Sequence, residues 1–189
     1  MGKRGNIDDL SIYIVDINDY TCDVFKKYFQ DINNVSIIKS DIVQFYNKQK
    51  DIDCLVSPAN AFGRMTGGYD AALSDILGWD FQKKVQKYIQ EHFYGEQGVG
   101  TSFIIETDNP GVKLIHTPTM RYPSKIIDNT IVYYCMRSTL ICALENDVNV
   151  IAIPVFGGSC GGVEAEIAAQ NMKDAYMQIK ERCGADHNF

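Results

Sequence analysis

Short apolar runs alternate with helical patterns along this chain, and that alternation restricts the fold more than any other feature of the sequence. The runs are rich in β-branched residues, and several are apolar at consecutive positions, as in strands that are covered on both faces. We therefore predict six strands, at residues 11–16, 35–39, 53–57, 102–106, 113–118 and 150–155.

Amphipathic helical patterns lie between these strands, with apolar residues three and four positions apart. They cover residues 24–32, 81–89, 131–142 and 165–179. Strands that alternate with helices predict the α/β class, in the form of a three-layer α/β/α sandwich with a mixed, mainly parallel central sheet. A chain of 189 residues with no visible repeat and no long linker is expected to form one domain over residues 1–189.

The charge of the chain excludes one class of partner and leaves another open. The formal net charge is -6, and acidic and basic residues are interspersed. We therefore expect no sequence-independent binding of nucleic acid, which requires a basic surface. A small anionic ligand is compatible with this charge, because backbone N–H groups at a glycine-rich turn bind phosphate without Lys or Arg.

The cysteines and the N-terminal segment indicate the compartment. The six cysteines form no CxxC pair and no zinc-like group with His92, His116 or His187, so we expect no metal site. Reduced cysteines among apolar residues fit the cytoplasm, which would be the host cytoplasm for a viral protein. The first ten residues lack the apolar region of a signal peptide, so neither secretion nor a membrane association is expected. We expect a monomer.

A glycine-rich loop follows the last predicted strand and precedes a helix, over residues 154–163. Glycines allow successive N–H groups to point at one anion, and the helix N-terminus adds positive potential. A turn of this composition that binds nothing is an equal alternative on this loop alone. The loop lacks the Lys-Ser or Lys-Thr pair of a nucleoside triphosphatase P-loop.

A second polar loop, residues 57–70, follows a buried strand. Asn60 and Asp70 are able to orient a ribose hydroxyl or a water molecule, while Gly67 and Gly68 make a flexible turn. The alternative is structural, with Asn60 as a turn residue and Asp70 as a helix cap. Two phosphate-compatible loops at one sheet edge favour a nucleotide diphosphate as the ligand, because ligands of α/β sheets bind beyond the carboxyl ends of the strands.

These motifs together resemble the macro domain family. The resemblance rests on SDIV, SPANAFGRMTGGYD, GVGTSFIIE, LIHTPTM and IPVFGGSCGGVEAEIAAQNMKDAY, which occur in family order at residues 40–43, 57–70, 98–106, 114–120 and 153–176. It covers roughly residues 11–181 and is closest to the branch of microbes and viruses whose first loop reads Ser-Pro-Ala-Asn. The family fold is the predicted one, and its ligand is ADP-ribose or an ADP-ribosylated macromolecule, with no cofactor.

The resemblance also implies roles for individual residues. Asp41, with Ile42 beside it, matches the acidic position that accepts a hydrogen bond from the adenine amino group. Asn60 matches the asparagine that faces the distal ribose, and Asp70 matches the acidic residue that activates or positions water in hydrolytic members. The two loops that would hold the diphosphate contain Gly67, Gly68, Val155, Phe156, Gly157, Gly158, Ser159, Cys160, Gly161 and Gly162.

Two functions remain open from the sequence. Asn60 and Asp70 favour catalysis, as an ADP-ribosyl hydrolase or an O-acetyl-ADP-ribose deacetylase. The altered first loop, with Tyr69 in place of the usual valine, favours an inactive ADP-ribose-binding module or a virion- or tail-associated interaction protein. His116 lies inside an apolar strand, where a core histidine is expected rather than a general base.

Overall fold

The computed structural model describes residues 5–183, and within them six strands form one sheet. The strands are β1 (Ser11–Asp16), β2 (Val35–Lys39), β3 (Cys54–Ser57), β4 (Phe103–Glu106), β5 (Lys113–His116) and β6 (Val150–Pro154). The helices are α1 (Asp19–Phe29), α2 (Ile42–Lys48), α3 (Gly68–Leu77), α4 (Phe81–Phe93), α5 (Thr130–Glu145) and α6 (Ala165–Cys183), and a short 3-10 helix covers Ile7–Asp9.

The sheet is mixed and mainly parallel, as predicted. Its strand order is β2-β1-β6-β3-β5-β4, in which only β4 runs antiparallel to its neighbour. Because the other five strands are parallel, their carboxyl ends meet at one edge. The loops that leave these strands are therefore brought together there.

Alternate side chains of each strand pack on opposite faces of the sheet, and this produces three layers. Ile12 and Ile14 of β1 contact the core that α1, α5 and α6 cover, whereas Val15 contacts the core under α2, α3 and α4. The central strand β3 is buried along its whole length. The predicted three-layer α/β/α architecture is confirmed.

All six predicted strands are found, with bounds that differ by at most two residues. The four predicted helical patterns correspond to α1, α4, α5 and α6. The helix α2 was not predicted, since its seven residues are too few to show a periodic apolar stripe. Asp70 does not cap α3, because that helix begins two residues earlier, with Gly67 at the N-cap position.

The chain leaves β3 and β6 toward opposite faces of the sheet. These two strands are adjacent and parallel, yet β3 leads to α3 on one face and β6 leads to α6 on the other. Loops that diverge in this way open a crevice between them, which is where open α/β sheets bind their ligands. The fold therefore places a crevice between the two loops that the sequence singled out.

No helix within residues 5–183 is both long enough and apolar enough to cross a membrane. His187 and the first four residues of the N-terminal segment lie outside the described residues.

Candidate ligand-binding site

A pocket of about 430 Å³ occupies the crevice at the carboxyl ends of the parallel strands. This volume is in the range of small-molecule sites. Its walls are built from the ends of β1 and β6, the loop after β3, the loop after β5 and the loop after β6. The lining residues are Asp16, Pro58, Ala59, Asn60, Arg64, Thr66, Gly67, Gly68, Tyr69, Asp70, Thr119, Met120, Pro123, Pro154, Val155, Gly157, Ser159, Cys160 and Gly161.

The side chain of Asn60 organises the first loop from the inside. Its Oδ1 accepts hydrogen bonds from the backbone N–H groups of Phe62 at 3.2 Å and Arg64 at 3.4 Å, and its Nδ2 donates to the Arg64 carbonyl oxygen at 3.1 Å. Asn60 is buried but lines the pocket, and one of its two amide N–H bonds is not used by these contacts. The turn-forming role and the predicted ligand contact are therefore compatible.

Asp70 is a buried carboxyl group in the first turn of α3. The hydroxyl of Ser57, at the end of β3, donates to Asp70 Oδ1 at 2.5 Å. Burial raises the pKa of Asp70 to about 7, although the Ser57 hydrogen bond opposes the shift. Near neutral pH the side chain therefore exchanges between carboxylic acid and carboxylate, which suits a group that transfers protons.

Several backbone N–H groups of both loops find no hydrogen-bond acceptor within the described part of the chain. Among residues 5–183, none accepts a hydrogen bond from the N–H groups of residues 66–69, or from those of Ser159, Cys160 and Gly161. Unpaired N–H groups at the start of a helix attract anions, and α3 begins within the first set. The residues of both sets line the same pocket.

The conformation of the second loop requires glycine at positions 157 and 161. Gly157 has a φ of +77°, and a Cβ at Gly161 would lie 2.6 Å from the Gly157 carbonyl oxygen. The loop is also held from outside by the segment before α5, where the Ile126 N–H donates to the Gly161 carbonyl oxygen at 2.9 Å. This loop is therefore a pre-formed turn.

Acidic groups gather at the end of the pocket nearest β1. Burial raises the pKa of Asp16, whose carboxylate accepts the Asn18 N–H at 2.8 Å. The phenolic oxygen of Tyr69 is buried without a hydrogen-bond partner in the described part of the chain. Burial, and then the carboxylates of Asp70, Asp16 and Asp41, raise the pKa of Tyr69. The phenol therefore stays protonated, and Asp41 lies near this end of the pocket.

The structure brings most of the predicted site residues together, but not all of them. Asp41 caps α2, with its Oδ1 accepting from the N–H groups of Val43 at 2.8 Å and Gln44 at 3.3 Å, and it does not itself line the pocket. Ile42 and Phe156 are buried in the two cores. The predicted residues that line the pocket are Asn60, Gly67, Gly68, Asp70, Val155, Gly157, Ser159, Cys160 and Gly161, whereas Asp41, Ile42, Phe156, Gly158 and Gly162 do not.

Some residues at or beside the pocket were not among the predicted site residues. Asp16 ends a predicted strand, and its position at the shared strand edge was a usable signal. Ser57 was part of the quoted loop, but its contact with Asp70 depends on the turn between them. Met120, which follows a predicted strand, lines the pocket and pairs with Asn60 in a β-bridge.

His116 is a core residue, as expected from its apolar strand. It is fully buried, and its Nδ1 lies 2.5 Å from Gln97 Oε1. Because the Gln97 amide nitrogen donates to the carbonyl oxygens of Thr101 and His116, its oxygen is the acceptor and His116 carries its proton on Nδ1. His116 is absent from the lining of the pocket.

Comparisons with known proteins agree with this architecture. A family model for the macro domain matches residues 56–172, which is more than half of the chain. An uncharacterized protein of Aquifex aeolicus is 26% identical over 152 residues, covering 79% of this chain and 85% of that protein. A variant of the Oceanobacillus iheyensis macrodomain, solved with ADPR, superposes with a TM-score of 0.64 at 18% identity, covering 95% of this chain and 83% of the other. The macrodomain of Mycobacterium tuberculosis DarG has a TM-score of 0.59 at 19% identity, covering 70% and 86% of the two chains.

Proposed function

This chain belongs to the macro domain family, and on that premise we propose that it binds ADP-ribose, either free or attached to a target molecule. The observation that carries the proposal is that residues 66–69 and Ser159–Gly161 line one pocket, with backbone N–H groups that have no acceptor among the described residues. A diphosphate has acceptor oxygens on two sides and fits between such sets. No lysine or arginine is needed to hold it, which is consistent with the acidic composition of the chain.

The two ends of the pocket suit the two ends of ADP-ribose. Adenine carries an amino group, and the carboxylates of Asp16 and Asp41 are the acceptors near the β1 end. The distal ribose would then lie beside the unused amide N–H of Asn60 and the carboxyl group of Asp70, which line the same pocket. The macrodomains of Oceanobacillus iheyensis and Trypanosoma brucei solved with ADP are consistent with this assignment of the ligand class.

Calorimetric titration with ADP-ribose, AMP and ATP tests the binding proposal. We expect ADP-ribose to bind at least about tenfold more tightly than AMP, because AMP lacks the second phosphate and the distal ribose. Gly161→Ala should weaken ADP-ribose binding, since its Cβ would meet the Gly157 carbonyl oxygen at 2.6 Å and displace the loop.

Gly98→Ala is the matched control for that substitution. Gly98 has ordinary backbone geometry, and the nearest atom to its added Cβ is a methyl group of Thr101 at 3.4 Å. It is also absent from the pocket lining. Equal affinity for ADP-ribose and AMP, or equal effects of the two alanine substitutions, would refute the two-loop site.

Hydrolysis of an ADP-ribosyl linkage is a second proposed function, and it rests on Asp70. A buried carboxyl group with a pKa of about 7 beside the proposed ribose position is able to take a proton from water. The assay measures release of ADP-ribose from a mono-ADP-ribosylated protein and from an ADP-ribosylated oligonucleotide. Binding without release from either substrate would leave a binding module as the function.

A reducing compartment such as the cytoplasm is the proposed location. Four of the six cysteines are buried and all six are free, so the fold of the described residues uses no disulfide.

A further inference from the structure

Gln97 is not among the residues that line the described pocket, but its side chain anchors a segment that supports the pocket wall. The residue is fully buried, and its Nε2 donates to the carbonyl oxygens of Thr101 at 2.9 Å and His116 at 3.3 Å. Its Oε1 accepts from His116 Nδ1 at 2.5 Å. Because an amide donates and accepts at once, one side chain binds both the backbone and the ring of His116. Gln97 is thereby tied to the carboxyl end of β5.

The backbone of Gln97 in turn holds the segment that carries Asn60. The Gln97 N–H donates to the Ala61 carbonyl oxygen at 2.9 Å, and the Ala61 N–H donates to the Met120 carbonyl oxygen at 3.0 Å. Ala61 has no exposed surface, so solvent does not replace either bond. The residue after Asn60 is therefore bound from two sides, by the segment before β4 and by the loop after β5.

The two segments that hold Ala61 are also joined to each other. Glu96, which precedes Gln97, forms a two-pronged ion pair with Arg121, which follows Met120, and the nitrogen–oxygen distances are 2.6 Å and 2.9 Å. Both partners of this pair are exposed, and exposed ion pairs add little stability. The buried bonds of Gln97 are therefore the ones whose loss should change the position of Ala61.

The loops proposed to hold the diphosphate have supports that do not involve Gln97. The Met65 N–H donates to Gln82 Oε1 at 2.6 Å, and Ser74 Oγ donates to the Met65 carbonyl oxygen at 3.0 Å. Residues 66–69 therefore start from a position that α3 and α4 determine. The second loop is held by the segment before α5. Loss of the Gln97 side chain should thus leave both diphosphate loops in place.

We propose that Gln97 is a positioning residue, which holds the side-chain amide of Asn60 in the orientation that binds the distal ribose of the ligand. This inference rests on the proposed function, because that function places the ribose beside Asn60. One amide N–H of Asn60 is not used by the contacts inside its own loop, and hydrogen bonds weaken steeply when they are misaligned. A shift of Ala61 would turn this N–H away from the ribose.

The test compares ADP-ribose with ADP, which lacks the distal ribose, by calorimetry on the whole chain. Gln97→Met keeps nearly the same volume and removes the hydrogen bonds of the side chain. We expect the preference for ADP-ribose over ADP to fall by about tenfold in this variant, with the affinity for ADP within about twofold of the wild type. Gln97→Glu keeps the acceptor for His116 Nδ1 and should retain part of the preference.

A double-mutant cycle shows whether Gln97 acts through Asn60. Asn60→Asp keeps an oxygen for the two N–H groups that Asn60 binds, but it removes the amide N–H, so it should lower the preference for ADP-ribose by itself. Adding Gln97→Met should then lower the preference no further, because residues that act on one contact are not additive. Additive effects of the two substitutions would overturn the proposal.

Asn34→Leu is the matched control for the loss of a structural amide. The Asn34 side chain also donates to two carbonyl oxygens, those of Ile7 at 2.7 Å and Leu10 at 2.8 Å, and it accepts from the Tyr176 hydroxyl at 2.6 Å. Asn34 and Leu10 precede β2 and β1, so this amide lies at the sheet edge opposite the pocket. Its substitution should lower the stability measured by urea unfolding and leave the preference for ADP-ribose unchanged.

The outcomes separate this proposal from the proposed function. An unchanged preference in Gln97→Met, or an equal loss of affinity for both ligands, overturns the role of Gln97. So does a failure of both Gln97 variants to fold, because the residue would then be required by the fold as a whole. A wild type that binds neither ligand overturns the proposed function itself, and one that binds both equally overturns the placement of the ribose beside Asn60.

Discussion

At the scale of single residues, the protonation state of Asp70 depends on its burial and on the hydrogen bond from Ser57. Burial disfavours the charged form of Asp70, and the Ser57 hydroxyl at 2.5 Å favours it. The balance leaves the pKa at about 7, so that both protonation states are populated near neutral pH. A carboxyl group with the ordinary value of 3.8 would be fully ionised and a much weaker base.

The rate of ADP-ribose release should therefore rise with pH through about 7, because only the carboxylate accepts a proton from water. Asp70→Asn should lower the rate by about 100-fold or more. Ser57→Ala should move the midpoint of the profile to higher pH, since it removes the hydrogen bond that lowers the pKa of Asp70. The measurement is single-turnover release between about pH 5 and about pH 9, which is about two units to either side of that pKa.

Ser159→Ala is the matched hydroxyl deletion for that experiment, since Ser159 lines the same pocket from the second loop without contacting Asp70. Its profile should keep the wild-type midpoint. A pH-independent rate, or the same midpoint in Ser57→Ala as in the wild type, would contradict the role assigned to the Asp70–Ser57 pair.

At the scale of elements, the short helix α2 depends on the same residue that the family resemblance assigns to adenine. Asp41 Oδ1 accepts the two backbone N–H groups at the start of α2. Neither of these bonds uses Oδ2. One carboxylate is therefore able to cap the helix and to accept from the adenine amino group with different oxygens.

Two substitutions at Asp41 separate these roles. Asp41→Ala should cost about 1 kcal/mol of stability through the lost cap, and should also weaken ADP-ribose binding by about 1 to 3 kcal/mol. Asp41→Asn should keep the cap, because Asn is an equally good N-cap residue, but it should still weaken binding. Its single carbonyl oxygen is taken by the helix, and its NH₂ group would meet the adenine amino group.

Thermal unfolding and calorimetry on the same preparations measure both effects. Asp174→Asn, at an exposed position on α6, makes the same change of charge away from the pocket and should alter neither quantity. If Asp41→Asn binds ADP-ribose with the affinity of the wild type, Asp41 caps α2 and does not contact the ligand.

The elements that local patterns specify were predictable, and those that depend on remote contacts were not. The strand β3 carries a continuous apolar run and the helix α6 carries a periodic apolar stripe, so both elements were predictable from the sequence. The seven residues of α2 form a helix because of one capping carboxylate and the core beneath them. For the site, the two glycine loops were recognisable, but Asp16 joins them through the strand order, and the contact between Asn60 and Met120 is a β-bridge between distant segments. Pairing of that kind is a property of the folded chain.

At the scale of the whole molecule, two buried titrating groups affect stability in opposite directions. Burial lowers the pKa of His116 from 6.5 to about 3, so the unfolded chain binds the extra proton between those values. His116 therefore makes the fold more stable as pH rises from 3 to 6.5. The pKa of Asp70 is raised from 3.8 to about 7, so the folded chain binds the extra proton, and Asp70 makes the fold less stable as pH rises through that range.

These two contributions should cancel between pH 3.8 and 6.5, where both groups differ by one proton between the folded and unfolded states. Each group changes the free energy of unfolding by as much as about 1.4 kcal/mol per pH unit.

Removing one group should therefore reveal the pH dependence that the other group contributes. In Asp70→Asn the free energy of unfolding should rise with pH more steeply than in the wild type, and in His116→Gln it should rise less or fall. Urea unfolding of each variant at two pH values inside this window, each about one unit from an end of it, measures how the free energy of unfolding changes with pH. Asp174→Asn, which removes an exposed carboxylate, is the control. Slopes parallel to the wild type in both variants would mean that neither group keeps its shifted pKa in the folded protein, because a group that titrates alike in both states contributes no dependence on pH.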